Sequence, residues 1–349
     1  MRTRPTSAAA LTAALLAATL GVSACGASGQ TATAGAAAAD QDAVLEYQGW
    51  SNQVTLPELA EDLGYLGDVE LEWVGNTISG PQDIQSAATG ATDFGGAFDG
   101  AVAKLISSGA PVRAVVSYYG SDAQAFNGFY VLEGSPIQGP RDLIGKKIGV
   151  NTLGGHNDAV INTYLRDGGL TPEEIKQVEL VPLPPPNLEQ SLRAGQIDVA
   201  ALSGQFREQA VAGGGVRSVF TDSQFFGDFS AGTYVFRDDY IAENPDTVRA
   251  FTTGVAKAIE WTKDTPHEEV IARYAEIIRE RGRANETTDS LKYWHSTGVA
   301  TTGGVIEASE FTRWEDWLDA TGAVEKGELD VESLYTNEFN EYADTAKDG

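Results

Sequence analysis

Two stretches of this chain, 105 residues apart, carry the same pattern. Ser86 to Ala97 reads Ser-Ala-Ala-Thr-Gly-Ala-Thr-Asp-Phe-Gly-Gly-Ala, and Ser191 to Leu202 reads Ser-Leu-Arg-Ala-Gly-Gln-Ile-Asp-Val-Ala-Ala-Leu. Each reads as the end of a helix, a glycine at its C-cap, a short turn with an aspartate, then a buried strand. A chance recurrence of common punctuation is one explanation. The physical alternative is a pair of similar α/β lobes, each offering strand ends and helix starts to a shared crevice. That is where open α/β sheets bind ligands.

The rest of the chain fits α/β architecture with largely parallel sheets. Ala43–Tyr47 reads as a first strand, and a helix follows to about Leu63. Val69, Leu71 and Trp73 alternate as a second strand would. Thr171-Pro172, Asn244-Pro245 and Thr265-Pro266 each place a capping residue before a proline at the first helical position. Glu174 and Glu268 complete two capping boxes. Val248, Phe251, Val255 and Ile259 then fall on one helix face, a buried stripe. Leu183-Pro184-Pro185-Pro186-Asn187 reads as a stiff loop between strand and helix.

Cys25 is the only cysteine, so no disulfide can form within the chain and stability must come from the core. Arg2 and Arg4 precede an acid-free apolar run from Ala8 to Leu20, which ends in Val22-Ser23-Ala24-Cys25. A basic start, a short apolar run and small residues are the layout of a secretory signal, too short to span a bilayer. We expect residues 1–24 to be that signal and residues 25–42 a tether, since Gly26 to Ala39 is almost wholly Ala, Gly, Ser and Thr. Without residues 1–24 the chain holds 22 basic and 50 acidic residues, a formal charge of −28. Such a surface argues against nucleic acid and repels anions at long range. An anionic ligand would need local donors.

Catalytic signatures are missing: no Gly-x-Ser-x-Gly, no phosphate loop, no His-Glu-x-x-His. The three histidines are far apart, with no cysteine beside them, so no metal site and no cofactor are expected. His267 and His295 read as surface or packing residues. His156 differs, because Lys147–Val150 reads as a strand leading through Asn151, Thr152, Leu153, Gly154 and Gly155 into a helix at His156. Free N–H groups at such a helix start can bind an anion, with Asn151, Thr152 and His156 as added donors; a plain capped turn explains the same residues. Other aromatic and polar residues gather at strand ends: Gln48, Trp50 and Ser51; Phe98 and Asp99; Tyr118 and Tyr119; Gln205 and Phe206. Together with Gly154, Gly155 and the donors above they form the candidate ligand set, an apolar cleft with a few fixed polar groups.

In order and spacing these pieces resemble the extracytoplasmic substrate-binding proteins of ABC importers, in the group for aliphatic sulfonates, nitrate and thiamine-pyrimidine precursors. The resemblance is carried by Tyr47-Gln48, Ser79-Gly80-Pro81-Gln82, Ala88 to Gly95, Ser135-Pro136-Ile137, Asp142 to Val150, Gly169-Leu170 and Ala194 to Asp198. It implies a periplasmic-binding-protein-like type II fold with two α/β lobes, a cleft between them and two crossover hinges. The lobes are expected at 43–131 with 234–349, and at 132–233. It also implies a monomer that takes a small organic, anionic ligand to a membrane permease and has no enzymatic activity. The end of the signal resembles a lipobox, implying a lipid on Cys25 that holds the protein outside the cell membrane. Two departures weaken a sulfonate assignment. Leu153-Gly154-Gly155 stands where sulfonate binders show Gly-Ser-Ser or Gly-Ser-Asn, and Ser203-Gly204-Gln205-Phe206 replaces a Trp-Asp-Pro-Tyr-like segment. Binding of a pyrimidine precursor or other heterocycle, or service as a sensing co-receptor, stays open. Thiamine-pyrimidine synthases of this fold need a cysteine-rich iron motif, and this chain has one cysteine.

Overall fold

The computed structural model describes residues 41–344, so the signal, Cys25 and all of the tether but residues 41 and 42 lie outside the described residues. The chain begins with β1 (Val44–Gly49), α1 (Leu56–Asp62), β2 (Glu70–Asn76), α2 (Gly80–Thr89), β3 (Phe94–Phe98), α3 (Asp99–Ser107) and β4 (Val112–Ser121). It continues with β5 (Gly128–Leu132), β6 (Lys147–Val150), α4 (His156–Asp167), α5 (Pro172–Ile175), β7 (Glu179–Pro182), α6 (Pro185–Arg193), β8 (Val199–Leu202), α7 (Gly204–Ala212) and β9 (Val216–Thr221). The last part holds α8 (Asp222–Phe226), β10 (Phe229–Arg237), α9 (Asp238–Glu243), α10 (Pro245–Asp264), α11 (His267–Arg281), α12 (Ala308–Thr312) and α13 (Glu315–Ala320).

Strands β5 to β9 make one five-stranded sheet in the order β7-β6-β8-β5-β9. The flanking segments make the pair β1-β2 and the sheet β3-β10-β4. Parallel pairing holds for β1 with β2 and for β6 with both β7 and β8. It fails for β5 and β10, which run antiparallel to both neighbours. The reason is connectivity: each is the strand on which the chain enters a sheet from the other one. Both expected lobe boundaries, at 131/132 and 233/234, fall within these two strands. Alternating apolar residues mark a strand but not the sheet that receives it.

The repeated sequence unit is repeated in atoms. Gly90 and Gly195 have φ of +74° and +69°, a region where side chains are strained. The next amides, of Ala91 and Gln196, donate to Ser86 O and Ser191 O at 2.9 Å each. Asp93 N–H donates to Glu46 O and Asp198 N–H to Lys147 O, again at 2.9 Å each. Each aspartate carboxylate accepts the amide of that same partner, at 2.8 and 2.9 Å. One helix–glycine–aspartate–strand unit thus ties the start of β3 to β1 at one place and the start of β8 to its parallel neighbour β6 at the other.

Local signals hold in most places. Thr171 and Glu174 form the expected capping box, and the stripe Val248, Phe251, Val255, Ile259 is wholly buried. At Thr265 the box is absent, because its N–H closes the preceding helix on Trp261 O and Pro266 becomes the cap residue of α11. Asn244 caps α10 without a side-chain bond to it; its amide oxygen accepts Asp42 N–H at 2.7 Å and ties down the start of the chain. Pro185 and Pro186 open α6 instead of forming a loop, since their fixed φ suits a first helical turn.

The two lobes share core. Trp314, at the start of α13, and Trp317 within it are at most 1% exposed, in a cluster holding Phe98 and Ala101 on one side and Val160 and Leu165 on the other. Trp317 Nε1 donates to Asp158 of α4 at 3.4 Å, and Asp316 pairs with Arg166 at 3.1 Å. Among the described residues no helix is long and apolar enough to cross a membrane, and no group of His, Cys, Asp or Glu is placed to hold a metal ion.

Candidate ligand-binding site

A cavity of about 430 Å³ lies where the sheets meet the crossovers. Helix α1 begins on it at Thr55-Leu56 behind its own capping box, and α6 at Pro185 with prolines that carry no N–H, while α2 begins on it at Gly80-Pro81, α4 at Gly155-His156 and α7 at Ser203-Gly204. The cap residues of the last three, Ser79, Gly155 and Ser203, make no side-chain capping bond. Each first turn therefore keeps N–H donors and the positive end of its dipole for whatever enters. Ser79 Oγ donates to Thr152 Oγ1 at 3.4 Å, a bond between α2's cap and the loop after β6.

The floor is made of rings. Tyr118 stacks on Tyr234 at 4.1 Å and meets Tyr119 edge-on at 4.9 Å. Gly96 makes this possible, since a Cβ there would sit 2.8 Å from Tyr234 and 2.9 Å from Tyr118. Burial, reinforced by nearby carboxylates, holds the hydroxyls of Tyr118, Tyr119 and Tyr234 far above the usual tyrosine range. They stay neutral and able to donate.

His156 occupies the seam. Its ring lies flat on Phe98 at 5.2 Å and edge-on to Trp314 at 5.8 Å. Nδ1 is 3.2 Å from Asn127 Nδ2, which makes it the acceptor, and Nε2 is 3.5 Å from Asp222. Both ring nitrogens thus lie beside Asn127 and Asp222, the first of which also lines the cavity. Burial holds its pKa below the usual histidine value, against the opposing pull of Asp222. Asp222, wholly buried, accepts Ser121 Oγ–H at 2.9 Å, Asn127 N–H at 3.1 Å and Asn127 Nδ2–H at 2.8 Å. Its own N–H donates to Asn127 O at 3.0 Å. One carboxylate so joins both crossovers.

The mouth is a loop, residues 282–301, that sequence reasoning left unassigned. It is anchored by Arg281, paired with Glu58 at 3.0 Å and Glu286 at 2.7 Å, and by Arg283, 2.8 Å from Glu58. At its far end Gly120 N–H donates to Thr297 O at 3.0 Å, and a Cβ on Gly120 would lie 2.2 Å from Gly298 O. Between these anchors Tyr293, Trp294 and His295 line the cavity. Arg207 of α7 also lines it but is spent: it donates to Gln124 O at 2.7 Å and Phe126 O at 3.3 Å, pairs with Glu208, and lies 3.7 Å over the Phe126 ring.

Of the residues expected at the site, Trp50, Phe98, Tyr118, Tyr119, Asn151, Thr152, Gly155, His156, Gln205 and Phe206 line this cavity. Gln48, Ser51, Asp99 and Gly154 are outside its lining. Gln48 lies within β1 and Ser51 is exposed in the turn after it. Asp99 turns inward at the start of α3 and is fully buried near Glu310 and Arg313. Gly154 gives its N–H to Asp158 at 2.9 Å. The sequence reading missed Gly80, Asn157, Arg207, Tyr234 and the mouth loop. Ser79-Gly80-Pro81 carried a usable signal, a cap before an early helical proline; the mouth loop has no periodicity to read.

Fold and cavity together place the molecule among two-lobed binding folds. The chain belongs to the NMT1/THI5-like family, whose model matches residues 54–269. A Brucella abortus protein named for a binding role is 26% identical over 197 residues; the match covers 55% of this chain and 57% of that protein, so the chain spans little more than half of that relative's length. The alkanesulfonate-binding protein SsuA of Xanthomonas axonopodis pv. citri, bound to MOPS, superposes with a TM-score of 0.66 at 18% identity, over 85% of this chain and all of that one. The nitrate-binding protein NrtA of Synechocystis PCC 6803 gives a TM-score of 0.65 at 13% identity, covering 88% and 89%. These superpositions establish the periplasmic-binding-protein fold, as the resemblance implied. A desulfurization enzyme, DSZB, shares it with a TM-score of 0.59 at 16% identity over 85% of this chain and 97% of that one.

Proposed function

We propose that the chain is a solute-binding protein of an ABC importer, which closes two lobes on a small organic anion and delivers it to a membrane permease. One observation carries this reading: three helix starts without a side-chain cap, those of α2, α4 and α7, come from both sides of the molecule onto one cavity. The lobes would divide at the crossovers near 122–127 and 222–228, and the candidate residues lining the cavity would make the contacts. The names of the structural relatives support sulfonate, nitrate or a similar anion as the ligand class. Catalysis is not part of the proposal, because the histidine at the α4 start directs both nitrogens to Asn127 and Asp222.

A thermal-shift and calorimetric screen of sulfonates, carboxylates, nitrate and pyrimidines should yield a ligand that raises the melting temperature. His156→Ala should weaken that ligand about tenfold, through loss of the seam contact with Phe98, with no change in the pH dependence a charged donor would give. A screen in which nothing binds would overturn the proposal.

The proposal includes a lipid on Cys25 that holds a monomer at the outer face of the membrane. Two acyl chains suffice for stable anchoring. Cys25→Ser should therefore appear in the medium or periplasm with ligand binding intact. Retention of that variant in the membrane fraction would remove the lipid from the account.

A further inference from the structure

The cavity's walls and charges narrow the ligand further, given the binding function proposed above. Its floor rings are satisfied by each other, as the Tyr118–Tyr234 stack shows. Its wall rings are not stacked on other rings. Trp50, which follows β1, Phe206, in α7, and Tyr293, in the mouth loop, are each half-buried on the cavity. Among the described residues none of these three stacks on another aromatic ring. They come from opposite sides of the cleft, α7 from the segment of the five-stranded sheet and the other two from outside it. Lys292 lies 4.9 Å from the Tyr293 ring and Phe206 packs on the cluster of Leu188 and Leu202, which leaves part of each ring, and of Trp50, open to the cavity. Partly exposed aromatic faces with no ring stacked on them, in a space of about 430 Å³, suit a flat apolar body. A bare inorganic anion would leave most of that space unfilled.

No lysine lines the cavity, and its one arginine, Arg207, is fully engaged with Glu208 and two carbonyls. His295 is 3.8 Å from the same Glu208. Buried carboxylates stand behind the floor: Asp222 against His156 and Asp99 after Phe98. Charge on a ligand can then be met only by the uncapped helix starts, worth about half an elementary charge each, and by neutral donors. One such donor is the hydroxyl of Tyr234, which is only 5% exposed, lines the cavity and makes no hydrogen bond among the described residues. That set suits one negative charge and penalises two.

We infer that the ligand is an aryl monoanion, an aromatic sulfonate or carboxylate, with its charged end at the helix starts of α2 and α4 and its ring in the slot between Trp50, Tyr293 and Phe206.

The test is calorimetry on the full chain at pH 8 with matched pairs: benzenesulfonate against butanesulfonate, benzoate against pentanoate, naphthalene-2-sulfonate, phenyl phosphate, nitrate and a free pyrimidine. In at least one pair the aryl member should bind about tenfold tighter than its alkyl partner, as a stacking contribution near one decade in affinity requires. The winning head group separates sulfonate from carboxylate. Phenyl phosphate, a dianion at this pH, should bind at least tenfold more weakly than the best aryl monoanion. Trp50→Ala and Phe206→Ala should each weaken the aryl ligand about tenfold while moving the alkyl one no more than about twofold. Equal weakening of both, or preference for alkyl chains, nitrate, the pyrimidine or phenyl phosphate, overturns the inference and leaves the binding function standing. No binding by any compound overturns both.

Discussion

Trp314→Ala is expected to lower the free energy of unfolding by about 3–5 kcal/mol, the range for truncating a large buried aromatic. The indole is completely buried and touches both sides of the seam: Phe98 at 4.7 Å, His156 at 5.8 Å and Phe226 at 5.2 Å. Alanine would leave a hole where the core of one lobe continues into the other, so neighbouring rings from two sheets could not collapse on it together. Trp314→Phe should recover most of the loss. Among the described residues the indole N–H has no acceptor, so phenylalanine gives up volume but strands no partner. Urea midpoints of the three proteins at constant slope test this. A loss below about 1 kcal/mol for the alanine variant would mean that the seam is not packed as described.

The second large effect is on pH dependence. Burial pushes Asp83 up to about 7, against the pull of the Gly96 N–H it accepts at 2.7 Å. Burial also raises Asp99 and Glu310, which face one another near Arg313. Their folded values lie above their unfolded ones, so the stability they contribute is present below about pH 4 and, for Asp83 and Glu310, is lost as pH rises through about 7. His156 acts in the opposite sense: it is held neutral, and stability is withdrawn as pH falls below the ordinary histidine value. Asp83→Asn isolates one member, because the amide oxygen can still accept Gly96 N–H while the titration disappears. At pH 8 the variant should gain stability on the order of 4 kcal/mol, and at pH 4 it should match the parent. Melting curves that stay parallel across that window would refute the assignment.

How far the sequence reached can be traced through single residues. The echo at Ser86 and Ser191 carried the lobe architecture because helix ends, αL glycines and buried strands are local, and local preferences survive folding. Phe98, Tyr118 and Gly155 could be placed at the cleft for the same reason, as strand exits and a helix start. What stayed hidden was decided by contacts between distant segments. Nothing near His156 in sequence indicates that Asp222 will take up the space beside its ring. Nothing near Tyr293 indicates that Arg281, Arg283 and Gly120 will pin its loop across the mouth. Asp99 looked like Phe98's companion at a strand exit, yet the turn into α3 directs it into the core.

Asp222 has a mechanical meaning. Two separate connectors between rigid bodies would permit both bending and twisting, but a buried carboxylate that clasps both connectors removes their independence. The pair then acts as one flexure with one axis. On the function proposed above, distances across the mouth, such as Phe206 to Tyr293, would change while Ser121 and Asn127 kept their separation. Ligand capture, on that same proposal, would then be a swing of fixed direction about this clasp.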